Sequence, residues 1–257
     1  KNSKEKINIK IDELNSIELR NLSFSYGKKI ILDNVNIELK KGEFIGLIGR
    51  TGTGKTTLVD MILGLLKPKN GKIIINKIEE TNFNALTKFI GYVPQDVFLF
   101  SDTIASNIAF GVDGAEPRDI EQAAQDAYVH DNIVAFPKGY ETLLGERGVN
   151  LSGGQKQRIS IARAILRKPR ILIFDDCLSA VDTETEAIIL GNLQRIMKGR
   201  TSIIVSHRVS TVRDADLILV LDEGRVLERG SHADLIAQDG LYTELHRKQE
   251  NPNSSPD

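Results

Sequence analysis

FIGLIGRTGTGKTTLVDMILGLL, residues 44–66, reads as a buried strand, a glycine-rich turn and a helix, and the rest of the chain can be placed by its relation to that turn. Gly49 to Thr56 satisfies the spacing G-x-x-x-x-G-K-[ST] between an apolar strand and a helix start, the context that a phosphate cradle requires. Gly49, Gly52 and Gly54 allow dihedrals that bulkier residues resist, so successive N–H groups can turn inward around an anion. A helix beginning near Lys55 aims its positive end at the same point. Lys55 is expected to reach the β- and γ-phosphates and the Thr56 hydroxyl to ligate Mg²⁺. The plainer alternative is a Gly/Thr-rich connection that merely turns tightly, and the motifs elsewhere in the chain weigh against it.

A chain of 257 residues with 40% hydrophobic content can bury a sizeable core in one large domain or two lobes. Its net charge of −1 offers no global basic field, so nucleic-acid binding by bulk electrostatics has no support. Arg163, Arg167, Lys168 and Arg170 cluster, and cations at a helix C-terminus account for them. No apolar run is long enough to span a bilayer, and one cysteine excludes an intrachain disulfide, which suits a reducing compartment. The chain starts at Lys1 without Met, so residues 1–15 are expected to be a linker from a preceding segment, and 251–257 a disordered tail.

From Ile17 the pattern is β. Leu22, Phe24 and Tyr26 alternate with serines, and Val35, Ile37 and Leu39 alternate with polar residues, as half-buried antiparallel strands do. Phe44–Ile48 is apolar on both faces, as a central strand should be, and Ile73–Ile75 and Phe89–Val93 continue the sheet. From about Asp102 to Lys168 the period becomes helical, broken at Gly111–Pro117 and Pro137–Gly148 and ending in a helix from Gly153 to Arg167 that Pro169 stops. Strands return at Ile171–Phe174, Ser202–Val205 and Leu217–Leu221 with helices at Glu184–Met197 and Val209–Arg213 between them, which argues for a mostly parallel sheet covered by helices. Asp222–Gly224 reads as a hairpin turn, and Ser231 and Leu241 open the last two helices.

Arg170-Ile-Leu-Ile-Phe-Asp175-Asp176 ends an apolar strand in two carboxylates on the edge where the phosphate turn lies. Asp175 suits Mg²⁺, held through water, and Asp176 points toward the γ-phosphate, where a base or water-positioning group belongs. Leu151-Ser-Gly-Gly-Gln155 carries the S-x-x-Q capping box, yet a serine hydroxyl and glycine N–H groups at a helix start also form a second anion site. Two phosphate-gripping devices so far apart in one chain suggest that the second grips a nucleotide held by another copy.

GRTGTGKTT, YVPQD, LSGGQ, ILIFDD, SAVD and SHR stand in this order, and over roughly Ile17 to Lys248 the chain resembles the nucleotide-binding domain of ATP-binding cassette (ABC) transporters. The resemblance implies an α/β fold: a P-loop NTPase core with a mostly parallel sheet, an antiparallel β subdomain and an inserted helical subdomain. It implies ATP hydrolysis with Mg²⁺ in head-to-tail dimers, two ATP molecules lying between the phosphate loop of one domain and the LSGGQ signature of the other. ATP would be held by Gly49, Thr51, Gly52, Thr53, Gly54, Lys55, Thr56 and Thr57, with Tyr26 stacked on adenine, and by Ser152, Gly153, Gly154 and Gln155 of the second copy. Thr56, Gln95 and Asp175 match the metal-binding positions. Asp176, His207, Gln95 and Lys55 match the catalytic ones, His207 as the switch histidine that holds the attacking water with the carboxylate.

Ala180 and Asp182 resemble the loop that crosses to the partner domain. Gly145-Glu146-Arg147-Gly148 and Asp102–Gly111 resemble segments of ABC exporters, whose coupling helices are expected to dock there and at a groove around Phe98 and Phe100. That implies a motor domain on the cytoplasmic face of the cell membrane, fused to a membrane domain. One departure stands out: the family usually has glutamate where this chain has Asp176, as in the weakly hydrolysing half of heterodimeric exporters, whereas His207 and an intact LSGGQ argue for activity. A slow regulatory ATP-binding half therefore stays open, as does a soluble ABC ATPase, which normally carries tandem cassettes or a coiled-coil insertion. A P-loop kinase or GTPase would lack LSGGQ, and Asn76-Lys-Ile-Glu79 only approximates a guanine-reading N-K-x-D. Cys177 reads as a small packed residue, and His130, His232 and His246 as surface residues outside any constellation.

Overall fold

A computed structural model describes residues 15–79, 87, 89–145, 151–179 and 181–250. The expected linker before Asn15 and the expected tail after Glu250 lie outside these residues. Strands β1 (Ser16–Tyr26) and β2 (Lys29–Lys40) pair antiparallel, and β1 also pairs with β4 (Asn70–Ile75), which turns back into the short β5 (Ile78–Glu79). The resulting four-stranded sheet has the order β2-β1-β4-β5. Val35, Ile37 and Leu39 are buried while Asn36, Glu38 and Lys40 are exposed, so the period-2 pattern of the sequence is the two-faced sheet itself. Asn76 and Lys77 both take positive φ, 50° and 68°, as the two central residues of a tight hairpin turn. The Asn76 carboxamide accepts from the backbone N–H groups of Asn15 and Ser16, so this asparagine is a turn residue and reads no base.

The second sheet holds β3 (Phe44–Ile48), β6 (Ile90–Val93), β7 (Ile171–Asp175), β8 (Thr201–Ser206), β9 (Leu217–Asp222) and β10 (Arg225–Gly230), in the order β10-β9-β3-β8-β7-β6. All its pairings are parallel except β9 with β10, which are joined by the tight turn at Glu223 and Gly224. Side chains alternate between two cores. Ile171, Ile173, Ile203 and Val205 pack with α1 (Lys55–Ile62) and the antiparallel sheet, whereas Leu172, Phe174, Ile204 and Val220 pack with the helices on the other face. Both faces are dry, which is why these strands read as unbroken apolar runs.

Between β6 and β7 the described elements are helical: α2 (Ile104–Ala109), α3 (Pro117–Asp126), α4 (His130–Val134), a single 3₁₀ turn at Gly139–Glu141, and α5 (Gly153–Leu166). Thr103 caps α2 by accepting from the Ser106 N–H, and Pro117 starts α3 at the position where its missing N–H costs nothing. Arg163 corrects the reading of the basic cluster. It lies inward, donating to the Asn107 carbonyl at 2.7 Å, the Asn107 carboxamide at 3.0 Å and the Phe98 carbonyl at 3.0 Å, so it ties α5 to α2 rather than merely facing the helix dipole.

After β7 come α6 (Thr183–Met197), the short α7 (Val209–Val212), α8 (His232–Gln238) and α9 (Leu241–Glu250). His130 and His232 are not free surface residues. Both are half-buried, with Nδ1 at 2.9 Å from the Tyr140 hydroxyl and 2.8 Å from the Tyr242 hydroxyl respectively, while His246 pairs with Glu250 on α9. Cys177 is buried among apolar side chains, and burial pushes its thiol well above the ordinary range, so it is packed and inert. Helix α7 sits directly on β3 at Gly46, where an added methyl would come within 2.7 Å of the Val212 Cβ and 3.3 Å of the Ala215 Cβ. No helix among the described residues is long and apolar enough to cross a membrane.

Candidate functional site

The register of the parallel sheet assembles the site. Ile48 lies opposite Ser206, and Asp175 opposite Val205, so the segments that follow β3, β7 and β8 all leave the sheet at one edge. Gly49, Asp176 and His207 are the next residues on those segments, and Asp176 and His207 border a cleft of about 230 Å³ that the turn after Gly49 also lines. Its lining includes Ile31, Thr51, Gly52, Gly54, Lys55, Thr56, Thr57, Gln95, Asp175, Asp176 and His207, so most residues expected at the phosphates and all four expected in catalysis meet here.

The phosphate turn runs through two left-handed glycines, Gly52 at φ 83° and Gly54 at φ 100°. Gly54 is the N-cap of α1 and has no side chain with which to cap it, so the first N–H groups of the helix stay open toward the cleft. Lys55 folds back over the turn and donates to the carbonyls of Gly49 and Arg50, both at 2.8 Å. Burial lowers its pKa, and the carboxylates of Asp176 and Asp175 oppose that shift. The Thr53 hydroxyl donates to the Arg50 carbonyl at 2.9 Å, so this side chain braces the turn instead of facing a ligand.

Asp175 is 1% exposed, and its Oδ2 has no hydrogen-bond partner. Burial raises its pKa above the usual carboxylate range, the Thr56 hydroxyl pulls the other way, and Asp176 and Asp60 add to the rise. Tyr92, which sequence reading left unassigned, is pushed above the ordinary phenol range, mainly by burial and then by the nearby Asp175 carboxylate. An orphaned, buried carboxylate oxygen beside a threonine hydroxyl is a donor set that fits a hard divalent cation.

Asp176 has φ +46°, a left-handed backbone unusual for a side chain with a Cβ, and is held there because its N–H donates to the Val205 carbonyl at 2.9 Å and its carbonyl accepts from the Ser179 hydroxyl at 2.9 Å. His207 Nδ1 stands 3.0 Å from Asp176 Oδ1, and Gln95 Nε2 reaches Oδ2 at 3.4 Å. This contact places Nδ1 of His207 toward the Asp176 carboxyl and leaves Nε2 as the ring nitrogen farther from it. The neighbouring Arg208 pairs with Glu186 of α6, a glutamate 3% exposed whose other oxygen accepts from the Thr211 hydroxyl at 2.7 Å. This support for the histidine's loop joins residues far apart in sequence and belongs to no local motif.

The remaining expected residues lie apart from the cleft. Tyr26 is exposed at the β1–β2 hairpin, edge-on to Phe24 with ring centroids 4.9 Å apart, and only Ile31 of that hairpin reaches the cleft lining. Ser152 and Gln155 form the full capping box of α5, Ser152 Oγ accepting from the Gln155 N–H at 3.2 Å and Gln155 Oε1 from the Ser152 N–H at 3.0 Å. With Gly153 and Gly154 they stand at the surface, outside the cleft of their own chain. Asp182 caps α6 by accepting from the Thr185 N–H at 2.9 Å. Ala180, Glu146, Arg147 and Gly148 lie outside the described residues. Phe98, Phe100 and the unanticipated Phe110 form an exposed aromatic row, with Phe98–Phe100 and Phe100–Phe110 centroids 5.0 Å and 4.4 Å apart and Arg163 over the last two rings. A groove of about 400 Å³, lined by Leu63, Leu65, Tyr92, Phe110, Arg163 and Arg167, opens beside it.

Comparisons with known proteins show the family and the fold. The ABC transporter family model matches residues 32–179, more than half of the chain. The chain is 47% identical over 235 residues to an ATP-dependent lipid A-core flippase of Pseudomonas fluorescens, covering 90% of this chain and 39% of that protein. It is 45% identical over 240 residues to ATP-binding cassette sub-family B member 5 of Mus musculus, covering 91% of this chain and 19% of that protein. A bacterial Atm1-family ABC exporter solved with ATP bound superposes with a TM-score of 0.88 at 41% identity, over 92% of this chain and 42% of that one. The chain thus spans well under half the length of these relatives. A phosphate turn lining a cleft at the carboxyl edge of a parallel sheet, together with a family match over more than half of the chain, places this chain in the ABC transporter family.

Proposed function

We propose that the chain is the ATP-hydrolysing motor domain of an exporter, working at the cytoplasmic face of a membrane and joined to a transmembrane domain. The observation that carries this reading is the convergence of Asp176, His207 and Gln95 at the open end of a phosphate turn. The turn's N–H groups and Lys55 hold the β- and γ-phosphates of ATP, and Tyr26 stacks on the adenine beyond Ile31. A water molecule attacks the γ-phosphorus in line with the bond to the β-phosphate oxygen. Asp176 orients that water and accepts its proton, His207 holds the γ-phosphate oxygens, and the phosphorus–oxygen bond breaks to release ADP and phosphate. Thr56, Asp175 and Gln95 would hold Mg²⁺, which would neutralise negative charge on the phosphates.

The exposed Ser152–Gln155 cap supports a composite site. Gly153, Gly154 and the Ser152 hydroxyl close over the ATP of a second copy or of a related domain, and the nucleotide joins the two. The aromatic row and its groove support docking of the cytoplasmic ends of membrane helices.

Asp176 also supports a second reading, a slow half of a heterodimer, because aspartate withdraws its carboxylate by about one methylene, and a misplacement of roughly an ångström can cost on the order of 10²-fold in rate. Steady-state hydrolysis by Asp176 variants tests both. Asp176→Glu is expected to raise turnover and Asp176→Asn nearly to abolish it; a glutamate variant no faster together with an asparagine variant no slower removes Asp176 from the reaction.

A further inference from the structure

We infer that Gln249, in the last turn of the C-terminal helix α9, is a positioning residue for His207. The carboxamide of Gln249 spans the histidine's backbone on both sides. Its Nε2 donates to the His207 carbonyl at 2.7 Å, and its Oε1 accepts from the Val209 N–H at 2.7 Å. Val209 opens α7, and the N-cap residue Arg208 supplies no side-chain cap, so this N–H is one of the orphan donors of a helix start. One side chain from a distant helix therefore completes the turn that presents the imidazole to Asp176. Both bonds must shift if that turn is to rotate.

The helix that carries Gln249 is anchored on the core at its other end. Tyr242 is wholly buried with its hydroxyl at 2.8 Å from His232 Nδ1, the Thr243 hydroxyl donates to the Leu235 carbonyl at 3.0 Å, and Glu228 accepts from the N–H groups of Leu241 and Tyr242 at 2.5 Å and 3.1 Å. Midway along, Glu244 meets Arg50 of the phosphate turn at 3.2 Å. Helix α9 thus touches both the glycine-rich turn and the turn that carries the histidine. Gln249 touches no reacting atom; it acts through the backbone of His207, and the inference rests on the hydrolytic role proposed for that histidine.

Gln249→Met, which keeps length and removes both hydrogen bonds, tests this in the 257-residue chain. The expected result is a fall in kcat of about tenfold with KM for ATP changed less than twofold and only a small fall in melting temperature, as for loss of a helix cap. In the His207→Ala background the same substitution should lower kcat no further, because the two residues act as one unit. Wild-type kcat in Gln249→Met, a loss that adds in full to that of His207→Ala, or a matched loss of ATP affinity and melting temperature would each overturn the assignment. Wild-type turnover in His207→Ala alone would instead remove the histidine from hydrolysis, and with it the premise.

Discussion

Burial makes a charge on Asp175 costly. Its pKa is raised by burial, so the folded protein is best supported while this carboxyl is protonated and loses that support as pH rises through the raised value. A cation would relieve the cost, and so would removing the charge. Asp175→Asn is therefore expected to raise the melting temperature of the protein in chelator at neutral pH while abolishing the stabilisation that Mg²⁺ and nucleotide together give the parent; a lower melting temperature in chelator would mean that the ionised carboxylate is already compensated. Glu186 makes the opposite case. It is buried and paired with Arg208, whose side chain is 30% exposed. Glu186→Ala should destabilise by about 2–3 kcal/mol, below the range for a fully buried pair, because part of the guanidinium stays in water. Chemical denaturation reads this directly, and a change under 0.5 kcal/mol, roughly what surface positions show, would mean that Arg208 finds another partner.

At the scale of elements, strands and helices whose chemistry is local were legible from the chain. Alternation gave β1 and β2, apolar runs gave β3, β7, β8 and β9, and S-x-x-Q gave the start of α5, because a two-residue period, a dry strand and a capping box are written in neighbouring residues. Contacts that join distant elements were not. Arg163 looked like a C-terminal cation until α2 was seen to supply its acceptors, and Tyr92, Glu186 and Gln249 carried no signal because their partners stand on other strands and helices. Under the proposed composite site, the capping box would serve both levels. Ser152→Ala should cost the cap about 1 kcal/mol, a small fall in melting temperature, and should also weaken association of two domains around ATP. Retention of full association in that variant would leave Ser152 with the capping role alone.

For the whole molecule, the proposed composite site would pair the cleft of one copy with the Ser152–Gln155 cap of another, which lies outside the cleft of its own chain. Light scattering should find the domain mainly monomeric without nucleotide and dimeric when ATP is present but not split, as in the Asp176→Asn variant. Dimerisation indifferent to nucleotide would count against a shared site. The two cores on either face of the parallel sheet meet through β3, and there the approach of α7 to Gly46 leaves no room for a methyl. That clearance works as a tolerance in a lever. Helix α7 begins two residues after His207, so a wedge of one carbon under it would tip the imidazole without touching the nucleotide, the metal or the water. A mutation in the middle of a buried strand could then leave ATP bound and unspent, a defect of timing in a molecule whose every ligand contact is intact.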